Sequence, residues 1–253
     1  LLCLVYIVKK VPILRLHRGD FRPHAPIVKK QLGIGLPMAL QFSITSIGGL
    51  MVQSALNSLG TFHIAAFTAA GKIEQLIHQV YSALGTTMAT YSAQNIGAGK
   101  ITRIRQGFRS ATIMGAIYSV SIGVVVFFFG SKLTWLFVTD DLDRVVPLVD
   151  IYMKAIATFF PPLMAIYVYR NGVQGLGFGL LPMMGGVVEL FARMIVAKIS
   201  AHFMSYLGIC LASPAAWVSA GIFFLVVYAA VIQKIQRAFP EDGTHHLQNS
   251  SEK

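Results

Sequence analysis

The sequence predicts an all-α integral membrane protein, and three observations carry that prediction. Hydrophobic residues make up 55% of the 253 and charged residues 12%, against about 25% charged in a typical soluble domain. Four stretches, 31–71, 75–99, 110–131 and 199–233, contain no Asp, Glu, Lys or Arg. Each is long enough to cross a hydrocarbon core of about 30 Å as a helix. The few charges are lopsided, 21 Lys and Arg against 10 Asp and Glu, for a formal net charge of +11. A nucleic-acid-binding protein would share that charge but not the hydrophobicity. A disordered basic tail would lack the 17 Phe and 9 Tyr. No ten-residue alternation of apolar and polar residues recurs, so a transmembrane barrel is excluded. Helices remain, because in lipid they satisfy their backbone groups internally.

The elements follow in order. Residues 1–8 read as the end of a preceding span. Residues 9–32 read as a basic linker, with Lys9, Lys10, Arg15, Arg18, Arg22, Lys29 and Lys30 against Asp20 alone. Pro12, Pro23 and Pro26 keep it from being one unbroken helix. It is either partly amphipathic at the membrane surface or a plain solvated loop. A six-helix transmembrane lobe follows over 33–235, with spans near 33–57, 62–94, 110–137, 148–169, 180–201 and 208–233. Loop charge then orients it. Lys100, Arg103, Arg105 and Arg109 follow the second span, Arg170 the fourth, and Lys234 and Arg237 the sixth. The alternate loops differ: 57–62 is uncharged, and 131–150 carries Asp140, Asp141, Asp143 and Asp150 against Lys132 and Arg144. By the positive-inside rule, the linker and the C-terminal tail, 236–253, are cytoplasmic. The tail is polar and expected to be disordered. The chain opens at Leu1 inside an apolar run, without an initiator Met or a basic signal-peptide region, and is expected to be part of a longer product.

Enzyme signatures are absent. Gly97-Ala-Gly-Lys100 resembles a phosphate loop only superficially, because Gln94 and Ile101 stand where a Walker A needs Gly and Ser or Thr. Cys and His residues show no metal-ligand spacing, and Cys3 and Cys210 sit in apolar runs as small hydrophobes. No cofactor is implied, and no internal repeat stands out.

Ionisable and polar residues inside spans are costly and merit individual attention. Glu74 and His78 are four apart and share a helix face, which suits either a proton-handling pair or a satisfied polar contact. Lys72 lies two residues before Glu74 and points elsewhere. Glu189 and Arg193 have ion-pair spacing, with or without a transport role. Lys154 and Lys198 lie near span ends and can snorkel. Gln41, Thr45, Gln53 and Asn57 fall broadly on one side of the first complete span, as a water-lined face or as interhelical hydrogen-bonding groups. Pro37, Pro161, Pro162, Pro182 and Pro214 imply kinks or breaks.

Several stretches resemble one family. They are Gly35-Leu-Pro37-Met-Ala-Leu-Gln41-Phe-Ser43, Gln53-Ser-Ala-Leu-Asn57-Ser-Leu-Gly60, and Ile64-Ala-Ala-Phe-Thr68 with Lys72-Ile-Glu74-Gln75. The sharpest is Gln94-Asn-Ile-Gly97-Ala-Gly99-Lys100 with Arg103-Ile-Arg105. Arg170-Asn-Gly172-Val-Gln174-Gly175-Leu-Gly177 and Glu189-Leu-Phe-Ala-Arg193 follow. Together they resemble the C-terminal half of a bacterial multidrug and toxic compound extrusion (MATE) transporter over nearly all of 1–235.

The resemblance implies twelve helices in two six-helix lobes that rock about a central cavity, exchanging cationic drugs or other amphiphiles for Na⁺ or H⁺ in the bacterial cytoplasmic membrane. This chain would be the linker and the second lobe, partnered by an N-terminal six-helix lobe, with Gln41, Gln53, Asn57 and Glu74 on the cavity wall. The chain departs from the family pattern in three places. No acid stands near Thr45 or Leu163, where some members carry one, and Tyr81 replaces a common Pro. The resemblance then implies a coupling acid in the first lobe. A lipid-linked oligosaccharide flippase of related design, which would need a more cationic cavity, and a non-transport membrane scaffold are the rivals.

Overall fold

The computed structural model describes residues 24–133 and 142–238, together with Tyr6 and Lys10. Among these residues everything regular is helical. Nearly all of 1–8, most of the 9–32 linker and the tail beyond 238 lie outside the described residues, as do 134–141.

The first helix, α1, runs Ala25–Asn57. It starts eight residues earlier than the span expected from 33, because Pro26 occupies the first turn, where a missing N–H costs nothing. Pro37 lies inside it. Helix α2 runs Thr61–Gly97 and α3 runs Ile101–Leu133. The start of α3 lies nine residues before the expected 110, so Arg103, Arg105 and Arg109 are helical rather than loop residues.

The connection between α2 and α3 explains Gly97-Ala-Gly-Lys100. Gly99 has φ +69°, the left-handed conformation that glycine adopts without a Cβ penalty. Lys100 N–H donates to Asn95 O at 2.9 Å and Gly99 N–H to Ile96 O at 3.1 Å. That pattern is a Schellman cap, which satisfies the last carbonyls of α2. Gly177 repeats the device at φ +94°, with Gly177 N–H bonded to Gln174 O at 2.9 Å.

The expected fourth span is not one rod. Helix α4 (Leu142–Ala157) and the stretch Phe160–Gly175 meet at 55°. Pro161 and Pro162 supply the cause, since neither can donate to the helical ladder. After the break come α5 (Phe160–Ala165), a π-helical turn (Ile166–Arg170) and α6 (Asn171–Gly175). Two carbonyls at the break, Ala157 O and Pro162 O, lie against glycines. A Cβ on Gly123 would stand 3.0 Å from Ala157 O, and one on Gly221 would stand 3.2 Å from Pro162 O. Helix α7 runs Leu180–His202, α8 Tyr206–Cys210 and α9 Ala212–Ala238. Pro182 sits in the first turn of α7 and breaks nothing, while Pro214, in the first turn of α9, withholds a donor from Cys210 O, where α8 ends.

Helix α1 packs along α7, and α7 packs along α9; α2 packs against α3, α4 and α6, with the bent segment wedged among α2, α3 and α9. Small residues permit these approaches: Gly48 faces Arg193, Gly185 faces Phe224 and Gly186 faces Gln41. Tyr81, Phe108, Phe160 and Phe224 are fully enclosed. Tyr81 does not kink α2; its hydroxyl donates to Ser119 Oγ on α3 at 3.0 Å.

The outside is equally apolar. Leu36, Leu40, Ile47 and Leu50 on α1, Ile113, Ile117, Val120 and Phe128 on α3, and Ile222, Leu225 and Val226 on α9 are all exposed. A water-soluble protein would not present such faces. By length and composition, Ala25–Asn57, Ile101–Leu133, Leu180–His202 and Tyr206–Arg237 can each cross a membrane, and the bent pair can as a fifth. Thr61–Gly97 has the length, 37 residues, but does not meet the same apolar standard. Its middle carries Lys72, Glu74, Gln75, His78 and Gln79, as a helix lining a polar interior would.

Candidate functional site

Two polar clusters lie in the interior, and one tyrosine stands between them. The first is built on Glu74. Its side chain is 14% exposed, and Tyr152 of α4 donates its hydroxyl to Glu74 Oε2 at 2.5 Å. His78, one turn along α2, places Nε2 3.3 Å from Glu74 Oε1. The approach makes no hydrogen bond, and it is an ion pair only when His78 is protonated. The His78 ring lies against Trp217 of α9 at 5.9 Å and Tyr167 of the π-helical turn at 6.0 Å, both near edge-on. Residues from four elements therefore converge on one carboxylate and one imidazole.

The second cluster is built on Glu189 of α7, 4% exposed at its side chain. The spacing to Arg193 gives the pair the sequence suggests, with Arg193 Nη2 3.5 Å from Glu189 Oε2. A second guanidinium joins from the bent segment: Arg170 Nη1 is 3.7 Å from Glu189 Oε1. These are ion-pair contacts longer than hydrogen bonds, and Glu189 Oε1 and Arg193 Nε have no hydrogen-bond partner among the described residues. Arg170 is thus not a loop cation after the fourth span. It sits in the helical path, half-buried, because a buried carboxylate with two oxygens can hold a second cation.

Tyr167 connects the clusters. The Arg170 guanidinium lies over its ring at 5.3 Å, while His78 approaches it from the other cluster. The π-helical turn makes this possible. Its extra residue per turn shifts the register, so that Tyr167 and Arg170 both reach inward, and such turns are frequent at functional sites.

The remaining sequence candidates scatter. Gln41 is buried against Gly186 of α7. Thr45 Oγ1 is buried without a hydrogen-bond partner among the described residues. Gln53 donates to Asn57 Oδ1 at 3.0 Å within α1, and Asn57 is exposed. Lys72 lies on the exposed side of α2. The structure thus brings together Glu74 with His78 and Glu189 with Arg193, but not the α1 polar residues with either. Sequence reasoning missed Tyr152, Tyr167 and Trp217 as site residues, because nothing marks an aromatic in an apolar helix as inward-facing. It had one signal for Arg170, the sole charged residue between Lys154 and Glu189.

Comparison with known proteins places these features. The MatE family model matches residues 37–199. The chain is 26% identical over 146 residues to "Probable multidrug resistance protein YpnP" of Bacillus subtilis, covering 58% of this chain and 32% of that protein. It is 24% identical over 202 residues to "Probable multidrug resistance protein NorM" of Thermotoga maritima, covering 79% and 43%. Among solved structures, an outward-facing MATE multidrug resistance transporter superposes with TM-score 0.85 at 18% identity, covering 93% of this chain and 54% of that one. That likeness speaks for the fold alone. The chain spans about a third to two fifths of these curated relatives' length and about half of that structure's. It belongs to the MatE family.

Proposed function

We propose that this chain supplies the second six-helix lobe of a drug-exporting antiporter working by alternating access, with Glu74 as its titratable centre. The observation that carries the reading is the Glu74 site. A carboxylate in the middle of a long polar helix, contacted by Tyr152 and His78 from two turns of structure, can bind and release a proton or a monovalent cation without unfolding its surroundings. The family match and the multidrug-resistance names of its relatives support drugs or other amphiphilic cations as cargo. The length covered supports an N-terminal six-helix lobe as partner. Loop charge supports a cytoplasmic linker and tail.

The two interior arginines weigh against a flippase for lipid-linked sugars. Both Arg170 and Arg193 face Glu189, so among the described residues the interior guanidiniums are already engaged by a carboxylate. The test is Glu74→Gln in the full-length protein, assayed by dye efflux from proteoliposomes under imposed H⁺ and Na⁺ gradients. Folded protein with lost or pH-insensitive efflux is expected. Unchanged efflux and an unchanged pH profile would remove Glu74 from the mechanism.

A further inference from the structure

An open groove of about 550 Å³ lies where the start of α1, the start of α7 and the end of α9 meet. Its size falls within the roughly 300–1,000 Å³ of small-molecule sites. Gly33, Leu180, Leu181, Val227 and Val231 form an apolar body, and Lys234 is the one charged residue in the lining. Val227, Val231 and Lys234 repeat at helical spacing, so one face of α9 runs from apolar floor to cationic mouth. Lys29, exposed, stands one turn before Gly33 on the same face of α1 and adds a second cation near the rim.

Lys234 makes no ion pair among the described residues; its ammonium rests 5.9 Å from the Phe178 ring centroid. An exposed contact of that kind is weak, about 0.5–1 kcal/mol, and an anion can draw the side chain away from it. Leu180 at the edge is 63% exposed, as a lipid-facing residue would be. An acyl chain suits the body and a phosphate suits the mouth.

We propose that this groove holds one chain of an anionic phospholipid, with Lys234 on the headgroup phosphate. A second groove, of about 310 Å³ between Ser119 and Pro161, is lined without any charge. It offers acyl chains a place but no anchor, and so predicts no headgroup preference. The helix ends around Lys234 and Lys29 set the depth: both cations lie at span ends, where headgroups are found, and basic pockets between helices at that level recognise anionic headgroups.

The test is native mass spectrometry of the intact protein in detergent, offered equal amounts of phosphatidylglycerol and phosphatidylcholine. The native sequence is expected to retain phosphatidylglycerol about fivefold over phosphatidylcholine, the preference worth one cation near a headgroup. Lys234→Gln is expected to bring that ratio close to one. Ala230→Trp, which fills the groove from an exposed position, is expected to remove the tightly retained lipid while leaving the protein folded. Lys132→Gln, at a distant helix end, is expected to keep the native ratio. Equal retention of both lipids by the native sequence identifies a generic lipid annulus and overturns the proposal. So does an unchanged ratio in both Lys234→Gln and Ala230→Trp, or an equal loss of preference in Lys132→Gln.

Discussion

The two interior acids are held in opposite ways. Glu74 meets neutral or titratable partners, a tyrosine hydroxyl and a histidine. Glu189 meets two guanidiniums that stay charged at any physiological pH. The first arrangement is the one proposed above to carry the coupling role. The second joins α7 to the bent segment through its two arginines, and Tyr167 touches both clusters.

Removing each acid should expose the difference. Glu189→Gln leaves the buried Arg193 and the half-buried Arg170 facing a neutral amide, and a loss of about 3 kcal/mol, the low end for a broken buried pair, is expected. It should appear as a large drop in melting temperature and folded yield in detergent. Replacing Arg170, Glu189 and Arg193 together with Met should recover most of that loss, because well-packed apolar residues replace buried ion pairs at little cost. A Glu189→Gln protein as stable as Glu74→Gln would break the comparison. Tyr152→Phe deletes the bond to Glu74 and should cost about 1.5–3 kcal/mol, with reduced transport, read by the same melts and by efflux. His78→Gln should be the mildest. It gives up ring contacts with Tyr167 and Trp217 at about 6 Å, toward the long end of the aromatic range and worth about 0.5 kcal/mol each, so a small melting shift is expected. A larger loss than in Tyr152→Phe would make the histidine, and not the tyrosine, the principal partner of Glu74.

Much of this was legible in the sequence, and particular residues show why. Glu189 and Arg193 are four apart on one helix, so helical geometry alone brings them together. Glu74 and His78 follow the same rule. Tyr152 lies 78 residues from Glu74 and Arg170 lies 19 from Glu189, across a break and a turn, and no local periodicity encodes such a meeting. The α1 stripe shows the converse. Gln41, Gln53 and Asn57 share a side of one helix, yet Gln41 is sealed against α7 while Asn57 stays exposed, because α7 covers only part of that side.

Composition and hydropathy by themselves determined that the chain is helical and membrane-embedded, since a lipid environment leaves the backbone few alternatives. The Pro161-Pro162 pair determined that a break would occur, and motif order determined the family. Tertiary structure alone decided where the break points its residues. The 55° bend and the π-helical turn after it rotate Tyr167 and Arg170 inward, turning a residue with the charge of a loop cation into the second partner of Glu189. A break frees a segment to choose its direction, and only packing against α2, α7 and α9 makes the choice.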